Sequence, residues 1–131
     1  MQFAVEHLGL PARDPAALAD WYVRTLDATL THTDGETPPA LFARLPGGVL
    51  LEIYPARATH PETANNQLAG WRHVALRVDS IAATKSLLES RGVKFPKEIA
   101  SAFAGGHVLY FADPEGNLLH LVERPADGRL K

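Results

Sequence analysis

The sequence predicts an α+β domain made of two tandem βαβββ modules, and three observations carry that expectation. First, the chain repeats itself once. Gly48-Val49-Leu50-Leu51-Glu52-Ile53 and Gly116-Asn117-Leu118-Leu119-His120-Leu121 share the pattern Gly-x-Leu-Leu-(Glu or His)-aliphatic, and a Phe and a turn precede each. Second, each half opens on a strand-like run carrying one His, followed by Asp and an amphipathic helix. Third, the spacings agree: His7 to Glu52 is 45 positions and His73 to His120 is 47. A tandem duplication explains all three.

The elements follow in order. Strand-like runs cover 3–8 and 71–78. Asp14 caps the first helix with Pro15 at its first position, where a missing N–H costs nothing. Leu18, Trp21, Tyr22 and Leu26 then recur at helical spacing. Asp79 is expected to cap the second helix, with Ile81, Leu87, Leu88 and Ala82 or Ala83 as its apolar stripe and Gly92 as its end. Thr29–Thr33 and Val93–Phe95 read as the strand after each helix. Each half closes on two short strands, 41–45 with 49–54 and 107–111 with 118–122. The modules span about 1–55 and 71–124, one domain over 1–131. Residues 56–70, with Pro61, Asn65, Asn66 and Gly70, form the linker, and 124–131 a polar tail.

Composition narrows the function. A chain of 131 residues with 46% hydrophobic and 21% charged residues can bury a core unaided. A net charge of −2 argues against a nucleic-acid surface or an anionic membrane as partner. No apolar run reaches membrane-span length, and the start lacks a signal-peptide pattern, so a cytoplasmic location is expected. With no cysteine, thiol catalysis and Cys-ligated zinc are excluded. Any metal must be held by His, Asp or Glu.

The repeat supplies such a set. His7, Glu52, His73 and His120 occupy the first and last strands of the two halves at equivalent places. A single strand His is ordinarily a hydrogen-bonded, partly buried residue. Glu52 inside Leu50-Leu51-Glu52-Ile53 is harder to dismiss, because a carboxylate out of water needs a cation, a metal or an exposed edge. If a pseudo-twofold axis relates the halves, the four side chains can converge. Three imidazoles and one carboxylate suit Zn²⁺, Ni²⁺, Fe²⁺, Mn²⁺ or Co²⁺ and argue against Ca²⁺ or Mg²⁺.

The chain resembles the glyoxalase/bleomycin-resistance/extradiol-dioxygenase (vicinal oxygen chelate) superfamily over roughly residues 3–124. The matching pieces are His7-Leu8-Gly9-Leu10 with Asp14, the helix Asp20–Leu26, the run Trp71–Asp79 and the ending Tyr110–Leu119. The resemblance implies a paired βαβββ fold forming a cup-shaped mixed sheet, with a divalent ion binding two neighbouring oxygens of a small-molecule substrate. By motif it places the metal ligands at His7, Glu52, His73 and His120. It also implies Glu52 as ligand and proton shuttle, with His107 as a second candidate base. Members of the fold often pair, so a homodimer is expected, with the ligands drawn from one chain or from two.

Several positions depart from the family pattern. His120 stands where the ending usually carries Glu, which removes one negative charge. Glutathione-dependent glyoxalase I is expected to carry Arg four positions after the first His and Asn four after the first Glu; here these are Pro11 and Ala56. Asp27 replaces the Gly that commonly ends the first helix. Extradiol dioxygenases and fosfomycin-type thiol transferases use two His and a final Glu, which this chain lacks. The leading expectation is therefore a metal-dependent lyase or isomerase that is not glutathione-dependent. The alternatives are a metal-free small-molecule (drug) binding protein and an iron-dependent dioxygenase.

Overall fold

The computed structural model describes residues 2–127. Residues 128–131 of the expected tail lie outside the described residues. The chain divides between Pro61 and Glu62 into two compact units. Each unit is a four-stranded mixed sheet with one helix, so the expected βαβββ pattern is present twice.

In the first unit, β1 (Leu8–Ala12) leads to α1 (Pro15–Leu26), then β2 (Thr29–Thr33), β3 (Leu41–Arg44) and β4 (Leu50–Pro55). The sheet order is β1-β4-β3-β2, with β1 parallel to β4 and the other neighbours antiparallel. Asp14 Oδ1 accepts from Ala17 N at 3.1 Å, which satisfies one orphan donor of the helix N-terminus. Leu18, Ala19 and Tyr22 are buried on the sheet side of α1, and Ala43, Leu51 and Ile53 are buried on the strands that α1 contacts. Asp27 ends the helix in the left-handed region, at φ 57°. Asp tolerates that conformation better than most residues, so the missing Gly costs little.

The first strand begins later than expected, at Leu8 rather than Phe3. Its parallel partner β4 starts only at Leu50, just after a turn in which Leu45 N donates to Val49 O and Gly47 and Gly48 have positive φ. The pairing therefore opens at Leu8 with Leu51, and Phe3 and Val5 stay 88% and 81% exposed.

The second unit runs β5 (His73–Arg77), α2 (Ile81–Ser90), β6 (Ala100–Ser101), β7 (His107–Ala112) and β8 (Leu118–Glu123). Its order is β5-β8-β7-β6, with β5 parallel to β8. Ile81 and Leu88 of α2 are buried, as are Leu109, Phe111, Leu119 and Leu121 on the strands that α2 contacts. Two expectations about this helix are corrected. The N-cap is Ser80, not Asp79: Ser80 is extended and its Oγ accepts from Ala83 N at 3.2 Å. With Ile81 as the first helical residue, Ala82, Ala83 and Leu87 turn outward. Gly92 does end the helix, with φ 91° and its N–H donating to Glu89 O.

The third strand of this unit is also corrected. Val93 is buried and donates to Leu88 O, so it closes the helix rather than joining the sheet. Pro96 then removes a backbone donor, and pairing starts only at Ala100 with Val108.

Candidate functional site

In the first unit the helix decides which strand residues face it. Leu51 and Ile53 go to the core, so Glu52 between them goes to the other face. Cross-strand register sets Gly9 and Phe42 on either side of Glu52. His7 lies two positions before Gly9. Its Nε2 stands 3.6 Å from Glu52 Oε2, and its Nδ1 stands 2.9 Å from Glu6 Oε1. The His7 and Glu52 side chains are each 34% exposed. Phe42 meets the His7 ring edge-on, with centroids 5.6 Å apart. The Tyr54 ring covers Gly9, whose missing Cβ would lie 3.5 Å from it.

The charges explain why the His7–Glu52 contact is informative. A carboxylate oxygen only accepts, so Nδ1–H of His7 donates a hydrogen bond to Glu6 Oε1. A neutral His7 then presents a lone pair on Nε2 to a carboxylate oxygen. That distance is longer than a hydrogen bond, and a proton or a metal ion shared between the two atoms would draw them together.

The second unit repeats the arrangement with different residues. Ala75 and Tyr110 flank His120 across the sheet, as Gly9 and Phe42 flank Glu52. His73 lies two positions before Ala75, as His7 lies before Gly9. The His73 and His120 rings are 4.7 Å apart. Tyr110 meets His73 edge-on at 5.8 Å and lies 4.7 Å from His120. His73 Nδ1 is 2.9 Å from Asn66 Oδ1.

His120 is 7% exposed, and its Nδ1 is buried with no hydrogen-bond partner among the described residues. Burial lowers its pKa from 6.5 to about 4, with smaller contributions from His73 and Arg124. The ring is therefore neutral at physiological pH, the state in which imidazole binds a metal. A buried polar atom without a partner costs free energy, and a metal ion would supply one.

The comparisons with known proteins complete the picture. The family model described as Glyoxalase/Bleomycin resistance protein/Dioxygenase superfamily matches residues 4–121. The chain belongs to this superfamily. The uncharacterized protein YaeR of Escherichia coli (strain K12) is 28% identical over 128 residues, covering 92% of this chain and 95% of its own. A glyoxylase/bleomycin resistance protein/dioxygenase domain from Frankia sp. EAN1pec matches with a TM-score of 0.74 at 22% identity, covering 97% of this chain and 96% of its own. The fosfomycin resistance protein FosX from Listeria monocytogenes, solved with Mn(II) and sulfate, matches with a TM-score of 0.70 at 16% identity. That match covers 97% of this chain and 94% of FosX. These two structures share the fold with this superfamily member.

Within that frame, the structure brings the expected ligands together in two pairs, His7 with Glu52 and His73 with His120. Among the described residues, no group of three or more His, Asp or Glu side chains is gathered that could hold a metal ion. The donor types nevertheless fit a transition metal: each pair offers a nitrogen or oxygen donor beside an imidazole, and the orphaned His120 Nδ1 points to an unfilled partner.

His107 is placed elsewhere. It pairs across the sheet with Glu123, on the face that carries Leu109, Phe111 and Leu121, which is the face opposite His73 and His120. Glu123 is on that same face, and its Oε2 accepts from Ile81 N at 2.7 Å, where it serves the N-terminus of α2.

Sequence reasoning missed Glu6, Phe42 and Asn66. Glu6 sits beside His7, but it reads as an ordinary strand polar residue. Phe42 and Tyr110 hold equivalent places across from Glu52 and His120, whereas the Phe-and-turn pattern aligned Phe42 with Phe111, which goes to the core. Asn66 lies seven positions before His73 in a stretch read as linker, and no periodicity connects the two.

Proposed function

We propose that this chain is a metal-dependent lyase or isomerase acting on a small substrate with vicinal oxygens, with His7, Glu52, His73 and His120 as the metal ligands. The observation that carries the reading is the approach of two metal-donor atoms, His7 Nε2 and Glu52 Oε2, to 3.6 Å. The buried, unpartnered Nδ1 of His120 supports it independently. FosX, solved with Mn(II), is a protein of this fold that holds a divalent ion.

When bound, such an ion supplies Lewis acidity toward two neighbouring oxygens. The protein's own residues do the rest. Glu52 is the group in reach to take or return a proton, because its carboxylate is partly exposed and its nearest approach to His7 is 3.6 Å. Phe42 and Tyr110 wall their donor pairs with aromatic edges. His107 takes no part in this reading, since it faces the helix side of its sheet. The absence of Arg and Asn at Pro11 and Ala56 argues against a glutathione adduct as substrate. A homodimer is part of the proposal. Among the described residues, no helix is long and apolar enough to cross a membrane.

The test is elemental analysis of protein purified without chelators or affinity-tag metals. About one transition metal ion per chain is expected, with sharply lower occupancy in His73→Ala and a milder loss in Glu52→Gln. Equal occupancy in parent and both variants would overturn the ligand assignment. Iron with Fe²⁺-dependent oxygen uptake would favour the dioxygenase, and no metal under any loading condition would favour a metal-free binding protein.

A further inference from the structure

The segment just before β5 is a turn built around one side chain. Asn65 N donates to Glu62 O at 3.0 Å, and Leu68 N donates to Asn65 O at 3.4 Å. Asn65 Oδ1 accepts from Gln67 N at 3.0 Å, the usual role of an Asx turn. These bonds fix the backbone on both sides of Asn66. The turn also lies against the end of the sheet where His73 begins. Gly116, two residues before β8, would bring a Cβ to 3.8 Å from Thr63, and His73 pairs with Leu118 at the start of β8. From that position Asn66 Oδ1 reaches His73 Nδ1 at 2.9 Å.

We propose that Asn66 is a positioning residue for His73. Its carbonyl oxygen can only accept, so the ring must donate from Nδ1. The proton is then held on Nδ1, and Nε2 is left with a lone pair. In water a neutral histidine ring prefers the opposite tautomer, with its proton on Nε2. Asn66 therefore selects the form that can bind a metal ion without first moving a proton, and it fixes the direction of the ring. In the first unit Glu6 holds His7 Nδ1 in the same way. His7, just before β1, and His73, at the start of β5, are thus prepared alike, one by its neighbour in sequence and one by the turn before β5. This inference rests on the reading of His73 as a ligand.

The experiment has two readouts. In metal-free, ¹⁵N-histidine-labelled protein near pH 8, NMR should show His73 with its proton on Nδ1. Asn66→Leu, which keeps the volume and removes the acceptor, should move it to Nε2, while Asn66→Asp should leave it on Nδ1. Zinc affinity, measured by competition with a chromogenic chelator, should fall roughly 10- to 100-fold in Asn66→Leu and stay near the parent value in Asn66→Asp. Both variants should keep the parent's melting temperature within a few degrees.

A parent protein with the His73 proton on Nε2 would overturn the inference. So would an Asn66→Leu variant with both tautomer and zinc affinity unchanged. A parent that takes up no zinc but shows the Nδ1 tautomer would remove the ligand reading alone and leave Asn66 as the residue that sets the ring.

Discussion

At the scale of single residues, His120 joins burial, protonation and proposed role. It stands in a strand whose neighbours Leu119 and Leu121 fill the core, and it is itself 7% exposed. Burial favours the neutral ring, and His73 and Arg124 add to that. The sign of the stability effect follows. The unfolded chain takes up this proton near pH 6.5 and the folded chain only near 4. Between those values the unfolded state binds more protons, so the contribution of His120 to stability is complete above pH 6.5 and is lost as pH falls toward 4. We expect urea unfolding of the metal-free protein to show a drop in stability between pH 7.5 and 4.5 that is smaller in His120→Leu. An identical drop in both proteins would mean that His120 is not held neutral. Glu52 is the contrasting residue. It is the acid in its module's pair and keeps a third of its side chain in contact with solvent.

At the scale of elements, α2 shows how a helix end can be completed from far away in the sequence. Ser80 supplies the local cap, and Glu123 on β8 accepts from Ile81 N across 42 residues of chain. A carboxylate at a helix N-terminus gains from both the hydrogen bond and the dipole. Removing it in Glu123→Ala should cost about 1–2 kcal/mol in urea unfolding, because a part-buried donor loses its acceptor. Glu123→Gln should recover part of that, since an amide oxygen still accepts. Equal loss in both variants would point to the charge rather than the hydrogen bond. Glu123 stands opposite His107 in the sheet register, so the Ala variant also tests whether this face is structural.

At the scale of the whole molecule, the repeat is visible in geometry as well as in sequence. Each unit puts a His two residues before a small residue, Gly9 or Ala75, and an aromatic residue opposite the last-strand donor in the sheet register. If the folded protein binds a metal ion through these groups and the unfolded chain does not, ligand excess must stabilise the fold by mass action. At a hundredfold excess over Kd that amounts to about 2.7 kcal/mol, or a rise in melting temperature on the order of 10 °C for a domain of this size. Calorimetry with Zn²⁺, Ni²⁺, Mn²⁺ and Fe²⁺ checks this. An unchanged melting temperature with all four would count against a native-state metal site.

Much of this protein is written in local pattern. The two helices, their end at Gly92 and cap at Asp14, the closing strand pairs and the four candidate ligands could all be read from periodicity, capping residues and the repeat, because those signals act over a few residues. Other features depend on which strands meet. The start of β1 at Leu8 follows from where β4 begins, and the third strand of the second unit waits for β7 before it can pair. His107 looked equivalent to a site residue until its partner, Glu123, placed it on the helix face. The hydrogen bonds from His7 to Glu6 and from His73 to Asn66 are likewise matters of ring direction. Spacing along the chain reports which face of a strand a residue takes, whereas the atom that faces a ring nitrogen is settled only when the chain has folded around it.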